Sequence, residues 1–317
     1  SPAPGRMKGH RPPVTRSIAR QAPAPRGGLS ALLDRSYLVI AAWPALVVMV
    51  AVTAVPFIVT VGLAFTNYDL VRRSSWEFVG LDNFARLLAD RQTPQIVFNT
   101  AYLVVATTGL ETILGLGLAV LMASAIRGIG LIRTAYLLPI MTAPIVVALT
   151  WRAMFNNDAG WINYGLSLLG LPEPTWLGEA ALAMPVVIIA DMWTGVSFMA
   201  VLLLAGLLAL PVEHAEAAEV DGASRWQAFR HVTLPALQPV LFVAIILRFM
   251  DAFRKFEGIQ VLTTGGPGIA STPLNLHIYN TGLFYHQIGY AAAYGVVMIV
   301  MIAASVGLIY LWIGRSR

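Results

Sequence analysis

Six stretches of this chain, roughly 37–65, 99–126, 134–154, 181–210, 237–262 and 289–313, are predominantly apolar over the length that a helix needs to cross the hydrocarbon core of a bilayer. In lipid every backbone N–H and C=O must find its partner within the protein, and long unbroken apolar runs achieve this as helices. The expected fold class is therefore an all-α membrane protein with about six transmembrane helices. Composition agrees: 57% of the residues are hydrophobic, 12% are charged and the mean hydropathy is +0.72, more apolar surface than one water-soluble core hides. The chain has no cysteine, which excludes disulfide staples, thiolate metal sites and cysteine nucleophiles together.

Loop charges orient the runs. Arg6, Lys8, Arg11, Arg16, Arg20, Arg26 and Arg35 precede the first of them against a single acid, Asp34, so that end is expected in the cytoplasm. Alternation then keeps Arg127, Arg133, Arg315 and Arg317 inside. It puts the acid-leaning loop with Asp158, Glu173 and Glu179 outside, together with 265–288, which has no Lys or Arg. Both termini are thus expected in the cytoplasm, as are residues 211–235. Residues 1–36, with the Pro-rich "RPPVTRSIARQAPAPRGG", read as a disordered basic cytoplasmic tail, and 37–317 as the transmembrane domain. Met7 is a plausible start, and the first apolar run is too long and too late for a secretory signal. Much of the formal charge of +5 sits in that tail, which removes the case for a nucleic-acid partner.

Between the fourth and fifth runs lies "EAAEVDGASRWQAFRHVTLP", residues 216–235. Pro211 suits the first turn of a helix, and Glu213 and Glu216 place negative charge near its positive end. Gly222 can take the left-handed conformation that stops that helix. Ser224 followed by Gln227 matches a capping box, which starts a second helix at once. Its apolar face would be Trp226, Phe229 and Val232 or Thr233, and Leu234-Pro235 is expected to close it at the membrane surface. The predicted unit is helix, glycine elbow, helix. Ala215, Ala217 and Ala218 would let another protein's backbone come close, while Glu216, Glu219 and Asp221 offer ion-pair partners around them. The competing picture is a short helix lying alone among headgroups. Against it, residues 211–222 carry no Lys or Arg.

Those residues carry a resemblance. Glu216-Ala217-Ala218, Gly222, and then Val232, Leu234 and Pro235 are similar to the cytoplasmic signature of ABC importer permeases, and "EAAEVDGA" resembles the carbohydrate branch. "FVGLDNFARLL" at 78–88 and "LTTGGPGIASTPLNLHIYNTGL" at 262–283 agree with that branch. The resemblance implies a multi-pass permease of the bacterial plasma (inner) membrane. Its elbow, through Glu216, Ala217, Ala218, Glu219, Asp221, Gly222 and Pro235, docks on a cytoplasmic ATPase. Further implied partners are two copies of that ATPase subunit, a second permease chain forming a heterodimer, and an extracytoplasmic solute-binding protein. ATP and Mg would be bound by the ATPase subunits, with no cofactor in this chain. Consistently, no G-x-x-x-x-G-K-[ST] occurs, and no H-E-x-x-H or comparable metal cluster. Among carbohydrates the resemblance points to a disaccharide such as trehalose or maltose, with glycerol-phosphate or other glycosides as alternatives. With nineteen arginines against two lysines, it suggests an actinobacterial trehalose importer.

Ionisable residues within spans mark functional positions. Glu111 lies in the second run, Asp191 in the fourth, and Arg248, Asp251, Arg254 and Lys255 form a helical stripe in the fifth. Asp191, Trp193, Arg248, Asp251, Arg254 and Phe256 are candidate solute-path residues, because a sugar path combines aromatic planes with short polar groups. The alternative is a structural clasp in which Asp251 pairs with Arg248 or Arg254. Trp151, Trp161 and Trp312 fit an interfacial aromatic belt better. A different function stays open here, an ion-coupled secondary transporter that uses Glu111, Asp191 and Asp251, although the halves show no clear inverted repeat. A membrane enzyme lacks a plausible catalytic cluster.

Overall fold

The computed structural model describes residues 28–71, 77–123 and 129–314. The basic tail through Arg26, together with Arg127, Arg315 and Arg317, lies outside the described residues, and so do the side chains of Ala215 and Trp312. The chain divides into two units, Ser1–Phe57 and Ile58–Arg317. In the first unit the described part is one helix. It belongs to α1 (Gly28–Leu63), which starts earlier than the first apolar run.

The second unit holds every other element: α2 (Asp82–Ala89), α3 (Thr93–Ala123), α4 (Ile129–Met141), α5 (Pro144–Met154), α6 (Trp161–Leu168) and α7 (Ala180–Leu208). After these come α8 (Val212–Val220), α9 (Arg225–Ala228), α10 (Leu234–Arg254), α11 (Glu257–Leu262), α12 (Leu274–Tyr279) and α13 (Ile288–Gly314). Phe229–Thr233 and Asn280–Phe284 are wider π turns. Among the described residues five helices are long and apolar enough to span a membrane, and the pair Gly130–Met141 and Pro144–Met154 supplies a sixth if counted as one broken span.

That broken span corrects the straight run expected over 134–154, because its halves meet at 98°. The cause is local. Pro144 has no N–H to continue α4 and drives the preceding Ala143 out of the helical region, to φ −61 and ψ 136. The fifth run is also shorter than expected. α10 stops at Arg254, Lys255 is extended with ψ 119, and α11 is a separate helix. Hydropathy cannot register the break at Ala143, since the residues on both sides of it are equally apolar.

The centre of the second unit is the contact of α3 with α7. Between helices in lipid, close approach rather than water exclusion drives association, so small residues mark the crossing. A Cβ on Gly115 would stand 2.5 Å from Met199 Cβ. Around this crossing Met122, Met199, Leu203 and Leu237 are buried together, and Leu103, Val187, Ile188 and Ile259 form a second apolar cluster. Side-chain amides tie the segments beyond the spans to helix ends. Asn83 Nδ2 donates to the carbonyls of Ala64 and Thr66 at 2.9 and 2.7 Å. Asn99 Nδ2 donates to Ile269 and Thr272 at 2.8 and 3.1 Å, holding the glycine-rich turn.

Candidate functional site: an elbow loop and a buried charge network

α8 ends as its residues dictate. Gly222 has φ +76, its N–H donates to the Glu219 carbonyl at 3.0 Å, and the next N–H, of Ala223, donates to Ala218 at 3.0 Å. This paired closure of the last carbonyls is a Schellman ending. Two residues on, the Ser224 N–H donates to Gln227 Oε1 at 2.8 Å while the Gln227 N–H donates to Ser224 Oγ at 3.4 Å, completing the capping box. Glu216, Ala217, Glu219, Asp221 and Gly222 are exposed, and Ala218 is buried against the elbow. α8 therefore presents an acidic surface interrupted by alanine.

One expectation fails here. Leu234-Pro235 does not close the second helix, because α9, the π turn and α10 run on as one helical stretch, Arg225–Arg254. The Leu234 N–H donates to the carbonyl of Phe229, five residues back. A widened turn gives the Pro235 ring room beside the preceding turn of backbone, where a tight α turn would clash. The elbow is thus directly continuous with an intramembrane helix.

Far along that helix lies a network of five charged side chains, four from three helices and one, Lys255, from just past the end of α10. Arg248 of α10 gives Nε to one oxygen of Glu111 and Nη2 to the other, the latter at 2.7 Å. Its Nη2 also reaches Asp191 of α7, and its Nη1 reaches Asp251 at 2.8 Å. Lys255 Nζ bonds Asp191 and lies 3.7 Å from Asp251. Arg248 is 1% exposed and Glu111 0%. Taking such groups out of water is tolerable only when they are paired and hydrogen-bonded on all sides, as here.

Space for the Glu111 carboxylate comes from Gly195. The three atoms nearest to a Cβ built there are the carboxyl carbon and both oxygens of Glu111, all within overlap distance. Gly195 was not singled out in the sequence. Its available signal was a glycine one helical turn after Asp191, in a span that faces another intramembrane acid.

Of the residues proposed for a solute path, Asp191, Arg248 and Asp251 meet in the network. Arg254 is exposed at the end of α10, where its carbonyl accepts Asn275 Nδ2 at 2.7 Å. Phe256 packs on Tyr279 with ring centroids 5.1 Å apart. Trp193 is 42% exposed and stands outside the network. Lys255 joins the network from beyond the helix end, not from the helical stripe expected, because the chain leaves the helix at that residue. The clasp partner of Asp251 is Arg248. Glu111, Asp191 and Asp251, the acids an ion-coupled carrier would need, are all bonded to Arg248. Among the described residues no group of acids or histidines is arranged to hold a metal ion.

The chain is similar to known membrane-transport proteins. Residues 111–316 match the family described as binding-protein-dependent transport system inner membrane component. The trehalose/maltose transport system permease protein MalF of Thermococcus litoralis is 40% identical over 245 residues, 76% of this chain and 81% of that protein. The trehalose transport system permease protein SugA of Mycobacterium tuberculosis is 34% identical over 231 residues, 73% of this chain and 74% of that one. In fold, the chain is similar to one in the crystal structure of a bacterial alginate ABC transporter in complex with an alginate pentasaccharide-bound periplasmic protein. There the TM-score is 0.76 at 22% identity, covering 89% of this chain and 95% of that one. The family match begins at Glu111 and takes in the whole charge network and the elbow; the chain belongs to the binding-protein-dependent transport system inner membrane components, the non-catalytic membrane subunits of ABC importers.

Proposed function

We propose that this chain is the permease subunit of an ATP-driven carbohydrate importer whose solute is a disaccharide, trehalose or maltose. The observation that carries the solute class is the 40% identity to a trehalose/maltose permease along most of both chains. The assembly would comprise two copies of an ATPase subunit that binds ATP and Mg, a second, non-identical permease and an extracytoplasmic solute-binding protein. Both termini would lie in the cytoplasm.

Within that assembly the acidic, alanine-interrupted face of α8 is the docking surface for the ATPase, through Glu216, Ala217, Glu219 and Asp221, with Ala218 packed on the inner side of the helix. Gly222 and Pro235 set its direction. Because Arg225 to Arg254 form one continuous helical stretch, movement of the docked elbow is carried along it to the charge network. There Arg248 acts as the clasp that joins α10 to α3 and α7. Asp191, Asp251, Arg254, Phe256 and Trp193 bound the solute path on the accessible side of that clasp. The supporting features are the exposure of the α8 acids and the broken end of α10 beside a polar cluster, an arrangement tolerated in membranes where backbone lines a cavity.

The test is uptake of radiolabelled trehalose and maltose into vesicles holding the complete transporter, with and without ATP. ATP-dependent uptake that disappears when the ATPase subunit is omitted is the expected result, and uptake by this chain alone would overturn the proposal. Glu216→Lys should lower both ATPase co-purification and uptake while the chain still inserts, because it opposes the charge that the ATPase surface is built to meet.

A further inference from the structure

α6 lies between α5 and α7, at the end of α7 opposite the elbow, and carries apolar side chains on both its faces. Ile162 packs into the core beneath it. The buried Asn163 pins it there, its Oδ1 accepting Trp176 Nε1 at 2.7 Å and its Nδ2 donating to the carbonyls of Asn157 and Pro174 at 3.4 Å. On the outward side Trp161 is 79% exposed, Tyr164 66%, Leu168 69% and Leu169 75%. Gly170, with φ +67, turns the chain back. The N–H of Leu171 then donates to the Leu166 carbonyl at 3.0 Å and that of Gly170 to Ser167 at 3.0 Å, so Leu171, 49% exposed, follows directly on the stripe.

A rigidly held stripe of five large apolar side chains is not left to water. The geometry points to the headgroup and upper acyl region of the bilayer as its occupant: α6 is an interfacial helix that lies in the membrane surface and fixes the depth of the α5–α7 junction. Three observations select lipid. The stripe continues in sequence from α5, whose outward Ile145, Val146 and Leu149 are each about half exposed on a membrane span. It pairs Trp and Tyr with leucines, the side chains that favour the boundary between headgroups and hydrocarbon. And the stripe itself carries no charge; Asp158 and Glu173 belong to the flanking turns and meet it only at the edge, in a cleft that they share with Trp161 and Tyr164. A free amphipathic helix would want Lys or Arg on its polar face to hold it to the membrane. α6 needs none, because its other face is packed onto the protein and the spans on either side tether it.

The absence of cysteine makes the test direct. Leu168→Cys and Asp158→Cys each carry one environment-sensitive fluorophore in the complete transporter, assembled with cysteine-free partner subunits in phosphatidylcholine nanodiscs. The Leu168 probe should emit at shorter wavelength than the Asp158 probe and lose about half its intensity or more when the lipid is brominated in the upper acyl chain. Both positions are exposed, so labelling does not disturb the fold, and Tyr164→Cys provides a second point on the stripe. Equal, water-like emission at positions 168 and 158 overturns the inference. So does shielding of the 168 probe that appears only when solute-binding protein is added, since the stripe would then be a protein docking face.

Discussion

Gly195→Ala is the smallest change that should reach the charge network, and its effect is calculable from the structure. The added methyl would overlap the Glu111 carboxylate, which has nowhere to retreat because its oxygens are held by Arg248 Nε and Nη2. Overfilling a packed site costs about 1–3 kcal/mol, and parting one partner from a buried ion pair costs about 3–5 kcal/mol. Arg248 keeps Asp191 and Asp251, which lowers the second figure, and alanine is about 1 kcal/mol better than glycine within a helix. The net expectation is a loss of about 3 kcal/mol, measured by unfolding the purified chain in mixed micelles of rising denaturing-detergent content. If the carboxylate is the obstacle, the same substitution in a Glu111→Ala background should cost less than about 1 kcal/mol, because the colliding atoms are gone and the sites are coupled. An equal loss in both backgrounds would refute the reasoning and locate the clash in the α3–α7 backbones.

Three further expectations rest on single features. At Gly222, space is open but φ is +76, so Gly222→Val should strain the elbow by about 1–2 kcal/mol and weaken ATPase co-purification, while Gly222→Asn retains it; equal behaviour of the two would mean that the elbow's direction is unimportant. Asn83→Ala strips the amide from the carbonyls of Ala64 and Thr66 and should lower stability by about 2 kcal/mol, read as a fall in thermal midpoint, with no change there showing that water replaces the amide. Burial holds the His277 imidazole below its ordinary pKa of about 6.5, with Asp90 pulling weakly the other way. The unfolded chain therefore takes up its proton first as pH falls, so stability should be full above about pH 6.5 and decline below it; His277→Gln should flatten that decline between about pH 7 and pH 5, and an unchanged slope would assign it to other groups.

What the amino-acid sequence determined by itself was everything that depends on neighbours along the chain. Apolar runs of bilayer length specify spans, because their backbones can be satisfied only locally. The elbow was equally legible, since the left-handed Gly222 and the Ser224–Gln227 capping box are closed within six residues. Two prolines were misjudged, as was the early end of the fifth run at Arg254. Pro144 bends the third span instead of passing within it, and Pro235 is absorbed by a π turn instead of ending a helix. Proline removes a donor in every context, but whether the chain then bends, breaks or widens is settled by the packing around it. Which charges meet across helices was decided by tertiary structure alone, whereas the Arg248–Asp251 pair lies within one helical turn. Glu111 and Arg248 are 137 residues apart, and nothing in the spacing of α10 names a partner on α3. Gly195 on α7 leaves the vacancy that lets the two helices bring that carboxylate and guanidinium together. A missing side chain has no chemistry of its own to read in a sequence, and its meaning appears only when another residue occupies the space.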